Sequence, residues 1–157
     1  MSVKISVIMP SLNVSEYIDE CIQSVLNQKF ADIEILCIDA GSTDGTYEKL
    51  EDYKMRDNRI QLLQSDKKSY GYQVNMGIKK ATGEYIAIIE TDDYIDENMF
   101  SELYPLVEKN HLDYIKAGAI SVKSYGKINI LNKMKFGDEE PSINNSVISS
   151  KEQPQII

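Results

Sequence analysis

Three carboxylates fall within four residues in Ile88-Ile89-Glu90-Thr91-Asp92-Asp93. Like charges this close are unfavourable unless a cation or a proton intervenes. A hard divalent ion such as Mg2+ or Mn2+ meets that need. Mg2+ commonly takes one or two protein carboxylates and completes its shell with substrate phosphates and water. Asp92 and Asp93 are therefore the candidate metal ligands, with a diphosphate as the group the ion would neutralise. An acidic loop capping a helix that starts near Asp96 would use the same residues, but the position directly after an apolar strand favours the metal.

Asp39 stands just before Gly41-Ser42-Thr43-Asp44-Gly45, a run of turn residues. Its carboxylate could accept hydrogen bonds from a base or a ribose, and Gly41 would allow close approach. Pro10-Ser11-Leu12-Asn13 closes an earlier apolar segment, and Asn13 reads equally as a turn residue or a ligand contact. Lys67 and Lys68 are either solvated or a local source of positive charge. Tyr70-Gly71-Tyr72-Gln73 precedes a helical stretch, where Gly71 permits backbone approach and a helix N-terminus favours an anion. Gly-x-Gly-x-x-Gly does not follow the first strand and no Gly-x-x-x-x-Gly-Lys-Ser/Thr occurs, which argues against a dinucleotide site and a P-loop. With His111 as the only histidine, Cys21 and Cys37 form no Cys/His metal site and are expected in the core.

The elements that must position these residues are legible from periodicity. Val3 to Met9, Ile33 to Ile38, Arg59 to Gln64 and Tyr85 to Ile89 read as strands, the last nearly all apolar as central strands are. Between them, apolar positions recur at three to four residues from Ser15, a possible cap, to Leu26. Thr46 to Lys54 and Tyr72 to Lys80 are also helical in pattern, with Gly83 punctuating the end of the last. Asp96 to Lys109 suits a helix, and Tyr114 to Val122 a further strand. The expectation is an α/β fold with a mostly parallel central sheet and helices on both faces. One domain over residues 1–130 is expected, followed by a polar tail over 131–157 that could begin an acceptor-binding region. Ligands in such sheets bind beyond the carboxyl ends of the strands. Pro10 to Asn13, Asp39 to Gly45 and Glu90 to Asp93 all fall there.

Seventeen basic residues against 25 acidic ones leave a net charge of −8, which disfavours nucleic acid as a partner. A phosphorylated ligand would be repelled too, so a cation, a helix N-terminus or a few lysines must hold it. No apolar run approaches the ~20 residues that span a membrane. Met1 to Pro10 does not resemble a secretion leader, so the expected address is the cytoplasm, a peripheral place at the inner face of the membrane being compatible with it.

The ordered set Val7-Ile-Met-Pro-Ser-Leu-Asn13, Tyr17 to Gln28, Ile38-Asp-Ala-Gly-Ser-Thr-Asp-Gly-Thr46, Asn75-Met-Gly77, Ala81-Thr-Gly-Glu-Tyr-Ile86 and Thr91-Asp-Asp93 resembles the family 2 inverting glycosyltransferases over about residues 3 to 100. The resemblance implies a GT-A (Rossmann-like) fold. It also implies a nucleotide-diphosphate sugar donor, often a UDP-sugar, bound with Mg2+ or Mn2+, a carbohydrate or lipid-linked acceptor, and polysaccharide biosynthesis as the setting. By motif position it puts Pro10 and Asn13 beside base and ribose, Asp39 at the base, and Asp92/Asp93 at ribose and metal. Ser11, Gly41, Lys67, Gly71 and Asn75 complete the expected nucleotide contacts.

Three positions depart from the family pattern. Ala40 follows Asp39 where many members have a second Asp, Glu90 opens the metal motif, and Val74 precedes Asn75 where arginine is common, leaving Lys67 or Lys68 to supply the positive group. The family's catalytic base lies well downstream. Asp138-Glu139-Glu140 reads as solvated surface, so no base is identified. A donor-binding module without turnover is the alternative, and a nucleotidyltransferase is weakened by the missing Gly-rich loop.

Overall fold

A computed structural model of the chain describes residues 2–117 and the backbone of residues 120–125 and 128–133. The chain divides after Ser101 into two compact units.

In the first unit, strands β1 (Ile5–Ser11), β2 (Ile33–Asp39), β3 (Ile60–Gln64) and β4 (Tyr85–Ile88) form one parallel sheet in the order β3-β2-β1-β4. Helices α1 (Ile18–Leu26), α2 (Thr46–Arg56) and α3 (Tyr70–Lys80) connect them. Right-handed crossovers put α1 and α2 on one face. The strand order doubles back from β3 to β4, so α3 lies on the other face. Helix α1 buries Ile18, Cys21, Ile22 and Val25, a stripe of three- and four-residue steps that suits one face of a helix. Its start differs from expectation: Tyr17 is the N-cap, and the Ser15 amide donates instead to Asp44 Oδ2 at 2.9 Å.

Both central strands, β1 and β2, are buried along their whole length. Ile8, Leu36 and Ile38 form the core beneath α3. Helix α3 sits close because Gly77 stands over Ile8: a Cβ there would lie 2.6 Å from Ile8 Cγ2. Both cysteines are buried and free. Burial pushes each thiol up to about 12, as expected of core residues.

Several elements depart from the periodicity. Strand β1 runs through Pro10 to Ser11, and α3 begins at Tyr70, two residues early, which puts Gly71 in its first turn. Gly83 does not close α3. It lets the next loop approach β1, where a Cβ would meet the Ser6 nitrogen at 2.7 Å. Strand β4, expected at the centre, is at the edge among the described residues, with Ile86 and Ile88 each 44% exposed. An apolar run marks a strand with two apolar faces but says nothing of what covers them.

The other unit contains most of α4 (Met99–Asn110), and strands β5 (Ile120–Tyr125) and β6 (Ile128–Lys133) pair in antiparallel fashion. The expected strand from Tyr114 therefore starts only at Ile120 among the described residues, and the expected tail boundary at residue 130 falls inside β6. The remainder of the tail, with Asp138 to Glu140, lies outside the described residues. No described helix is long and apolar enough to cross a membrane.

Candidate functional site

The carboxyl edge of the sheet carries a pocket of about 290 Å3. Pro10, Ser11, Leu12 and Val14 line it from the end of β1, Lys68, Tyr70 and Gln73 from the start of α3, and Glu90, Thr91 and Asp92 from the loop after β4. Strands β1 and β4 lie side by side in parallel register, Ile8 opposite Ile88, so both run out at this edge.

Buried side chains stitch the edge together. Thr91 Oγ1 donates to the Pro10 carbonyl at 2.9 Å, and Gln73 Nε2 donates to the carbonyls of Ser11 at 2.9 Å and Ile38 at 2.6 Å. In the acidic loop, the Asp93 amide donates to the Glu90 carbonyl at 3.0 Å, and Tyr70 Oη donates to Glu90 Oε1 at 3.4 Å. Beneath this loop, Cys21 Sγ approaches the Glu90 carbonyl at 3.5 Å. Burial is the main cause of its raised pKa, and the charges of Asp93 and Asp92 add to it.

Of the residues expected from sequence, Pro10, Ser11 and Asp92 line the pocket. Asp93 is exposed beside it. Asp39 is nearly sealed: its Oδ2 accepts from the amides of Gly41 at 2.8 Å and Ser42 at 2.9 Å, and its Oδ1 accepts from Ser42 Oγ. The carboxylate thus shapes the loop that follows β2. Gly41 serves that turn through its φ of 77°, a left-handed conformation that glycine adopts without steric cost.

Asn13, also at positive φ, accepts at Oδ1 from the Thr43 amide at 2.9 Å, while its own amide donates to Ser42 Oγ at 2.9 Å. The loops after β1 and β2 are thereby locked together. Thr46 Oγ1 donates to Asp44 Oδ1 at 2.6 Å, and this bond, with that from the Ser15 amide, holds the Asp44 carboxyl well below its usual range.

The lysine pair separates. Lys68 lines the pocket, whereas Lys67 Nζ lies 4.6 Å from the centroid of the Tyr72 ring. Gly71 and Asn75 are exposed on α3. A Cβ at Gly71 would meet nothing within 4 Å, so the protein itself does not demand glycine there.

Leu12, Val14 and Thr91 were not singled out by residue type. Thr91 could have been found from its place between the apolar run that ends at Ile89, a buried residue just past β4, and the carboxylate pair. Leu12 and Val14 carry no chemical signal beyond being apolar.

The family model described as Glycosyl transferase family 2 matches residues 6–154. The chain belongs to that family. Among family members, Glycosyltransferase GlyG of Streptococcus pneumoniae is 40% identical over 116 residues, which are 73% of this chain and 38% of GlyG. Uncharacterized glycosyltransferase EpsJ of Bacillus subtilis is 40% identical over 114 residues, 73% of this chain and 33% of EpsJ. The chain thus spans between about a third and two fifths of the length of these relatives. The crystal structure of S. aureus TarS 1-349 in complex with UDP superposes with a TM-score of 0.64 at 29% identity, over 69% of this chain and 33% of that one. These structural neighbours establish the GT-A fold expected from the motifs.

Proposed function

We propose that this chain binds a nucleotide-diphosphate sugar, most naturally a UDP-sugar, together with Mg2+ or Mn2+. It would be the donor half of a transferase that passes the sugar, with inversion, to the hydroxyl of a carbohydrate or lipid-linked acceptor. Polysaccharide biosynthesis is the setting, in the cytoplasm or at the inner face of the membrane. The observation that carries this proposal is the pocket itself, which brings Asp92 together with Lys68 and the first turn of α3. Family membership and the UDP held by the TarS neighbour support it.

The net charge of −8 requires local compensation for a diphosphate. Lys68 supplies one positive charge, and the amides at the start of α3 supply a partial one, with no acidic residue in that first turn to oppose them. Pro10, Leu12 and Val14 offer an apolar wall for a planar base.

A metal fits the donor set. Among the described residues no three His, Cys, Asp or Glu side chains converge on one point. A substrate-bridging Mg2+ needs only one or two carboxylates, and Asp92 and Asp93 are adjacent, exposed and, among the described residues, in no ion pair with a lysine or arginine. Such an ion would stabilise charge on the departing diphosphate. This chain's residues would bind the donor and orient it along the sheet edge.

Calorimetry with UDP and Mn2+ tests the proposal. Asp92→Asn and Asp93→Asn should each remove the metal-dependent part of the affinity while leaving the melting temperature unchanged. Unaltered affinity in both variants would refute it. The pocket wall, among the described residues, contains no carboxylate besides Glu90 and Asp92, which favours a second reading in which the chain binds donor without turnover. Release of UDP from a UDP-sugar in the presence of acceptor separates the two.

A further inference from the structure

Gln73 is 4% exposed, in the first turn of α3, and lines the pocket. Its Nε2 donates to the Ser11 carbonyl at 2.9 Å and to the Ile38 carbonyl at 2.6 Å. A neutral amide has two N–H donors on nitrogen and an acceptor on oxygen. Both partners are carbonyls, so the nitrogen must be the atom that faces them, and both of its hydrogens are used. The Oε1 atom is thereby directed away from the ends of β1 and β2.

Among the described residues no donor meets Oε1, yet no sealed side-chain oxygen or nitrogen lacks a partner. The oxygen is therefore open to the pocket that Gln73 lines. An acceptor held by two bonds, in a side chain otherwise buried, has little orientational freedom left to lose when a ligand arrives. It suits a donor hydrogen. A diphosphate has only acceptor oxygens when ionised, whereas a nucleoside offers an imide N–H and ribose hydroxyls.

We propose that Gln73 is a specificity-determining residue of the pocket, its Oε1 accepting a hydrogen bond from an N–H or O–H donor of the bound nucleoside. This rests on the nucleotide-sugar function proposed above. A polar site of this kind rejects an analogue that lacks the donor, because the acceptor is then left unpaired.

Binding of UDP, N3-methyl-UDP, 2′-deoxy-UDP and 3′-deoxy-UDP, each with Mn2+, is measured by calorimetry on the wild-type chain and on Gln73→Met. One analogue should bind the wild type about tenfold more weakly than UDP, and that ratio should collapse towards one in Gln73→Met. The analogue affected identifies the donor as imide or ribose hydroxyl. Equal affinity of the wild type for all four ligands overturns the proposal, as does a ratio that the substitution leaves intact, which would make Gln73 a brace only. If melting shows that Gln73→Met has lost its fold, Gln73→Asn, whose shorter amide withdraws the acceptor, is compared in the same way. Failure of UDP to bind the wild type at all refutes nucleotide binding itself, whereas uniform binding of the analogues refutes only the role of Gln73.

Discussion

Thr91 Oγ1 donates to the Pro10 carbonyl at 2.9 Å, so the loop that carries Asp92 and Asp93 is tied to the end of β1 by one nearly buried side chain. The carboxylate pair and the apolar wall of the pocket are thereby held in fixed relation. Thr91→Val keeps the shape and removes the bond. It should cost about 1–2 kcal/mol of stability, measured by urea unfolding, and weaken UDP binding severalfold. Thr91→Ser, which keeps the hydroxyl, should recover most of both. An affinity unchanged in Thr91→Val would mean that the acidic loop holds its position without this bond.

The adjacent lysines should differ in what they do. Lys68 lines the pocket and Lys67 packs over Tyr72. Lys68→Ala should weaken UDP binding about three- to fivefold, the size of an exposed charge interaction, and more at low salt than at high. Lys67→Ala should stay within about twofold of wild type. A salt titration of both variants checks the assignment, and equal losses would contradict it.

Much of this site could be read from residue order because the periodicities of strand and helix place the polar clusters without reference to contacts. Pro10, Asp39 and Asp92 each follow an apolar run, and each stands at the same sheet edge. What those side chains do there was less accessible. Asp39 and Asn13 have the chemistry of ligand contacts, yet their hydrogen bonds run to Gly41, Ser42 and Thr43, because Asp and Asn serve loops as readily as ligands. Lys67 and Lys68 were indistinguishable as types. Only the turn before α3 determines which of them enters the pocket. Gln73 is an ordinary helix residue in composition, and its partners lie 62 and 35 residues away.

The opposite edge of the sheet makes the same point through Glu34. This nearly buried carboxylate accepts at Oε1 from Ser6 Oγ at 2.6 Å and from the Thr82 amide and hydroxyl at 2.6 and 2.8 Å, and at Oε2 from Gln61 Nε2 at 3.1 Å. The Gly83 amide completes the clasp by donating to Ser6 Oγ at 2.8 Å. The motif Ala81-Thr82-Gly83 is therefore fixed by structure, far from the pocket.

Burial alone would raise the Glu34 pKa, but the bonds from Ser6 and Thr82 outweigh it and hold the group below its ordinary 4.5. A carboxylate with a depressed folded-state pKa contributes stability that is fully present above the unfolded value and lost as pH falls through the folded one. Glu34→Gln cannot titrate and leaves a donor N–H2 where an acceptor is needed. It should cost about 1–3 kcal/mol at pH 7. The gap between wild type and variant should then narrow as pH falls from 4.5 through the folded-state pKa, because protonation removes the wild type's advantage. Urea unfolding of both proteins at a series of pH values measures that gap, and a difference that stays constant into acid would show that the network does not depend on the charge of Glu34.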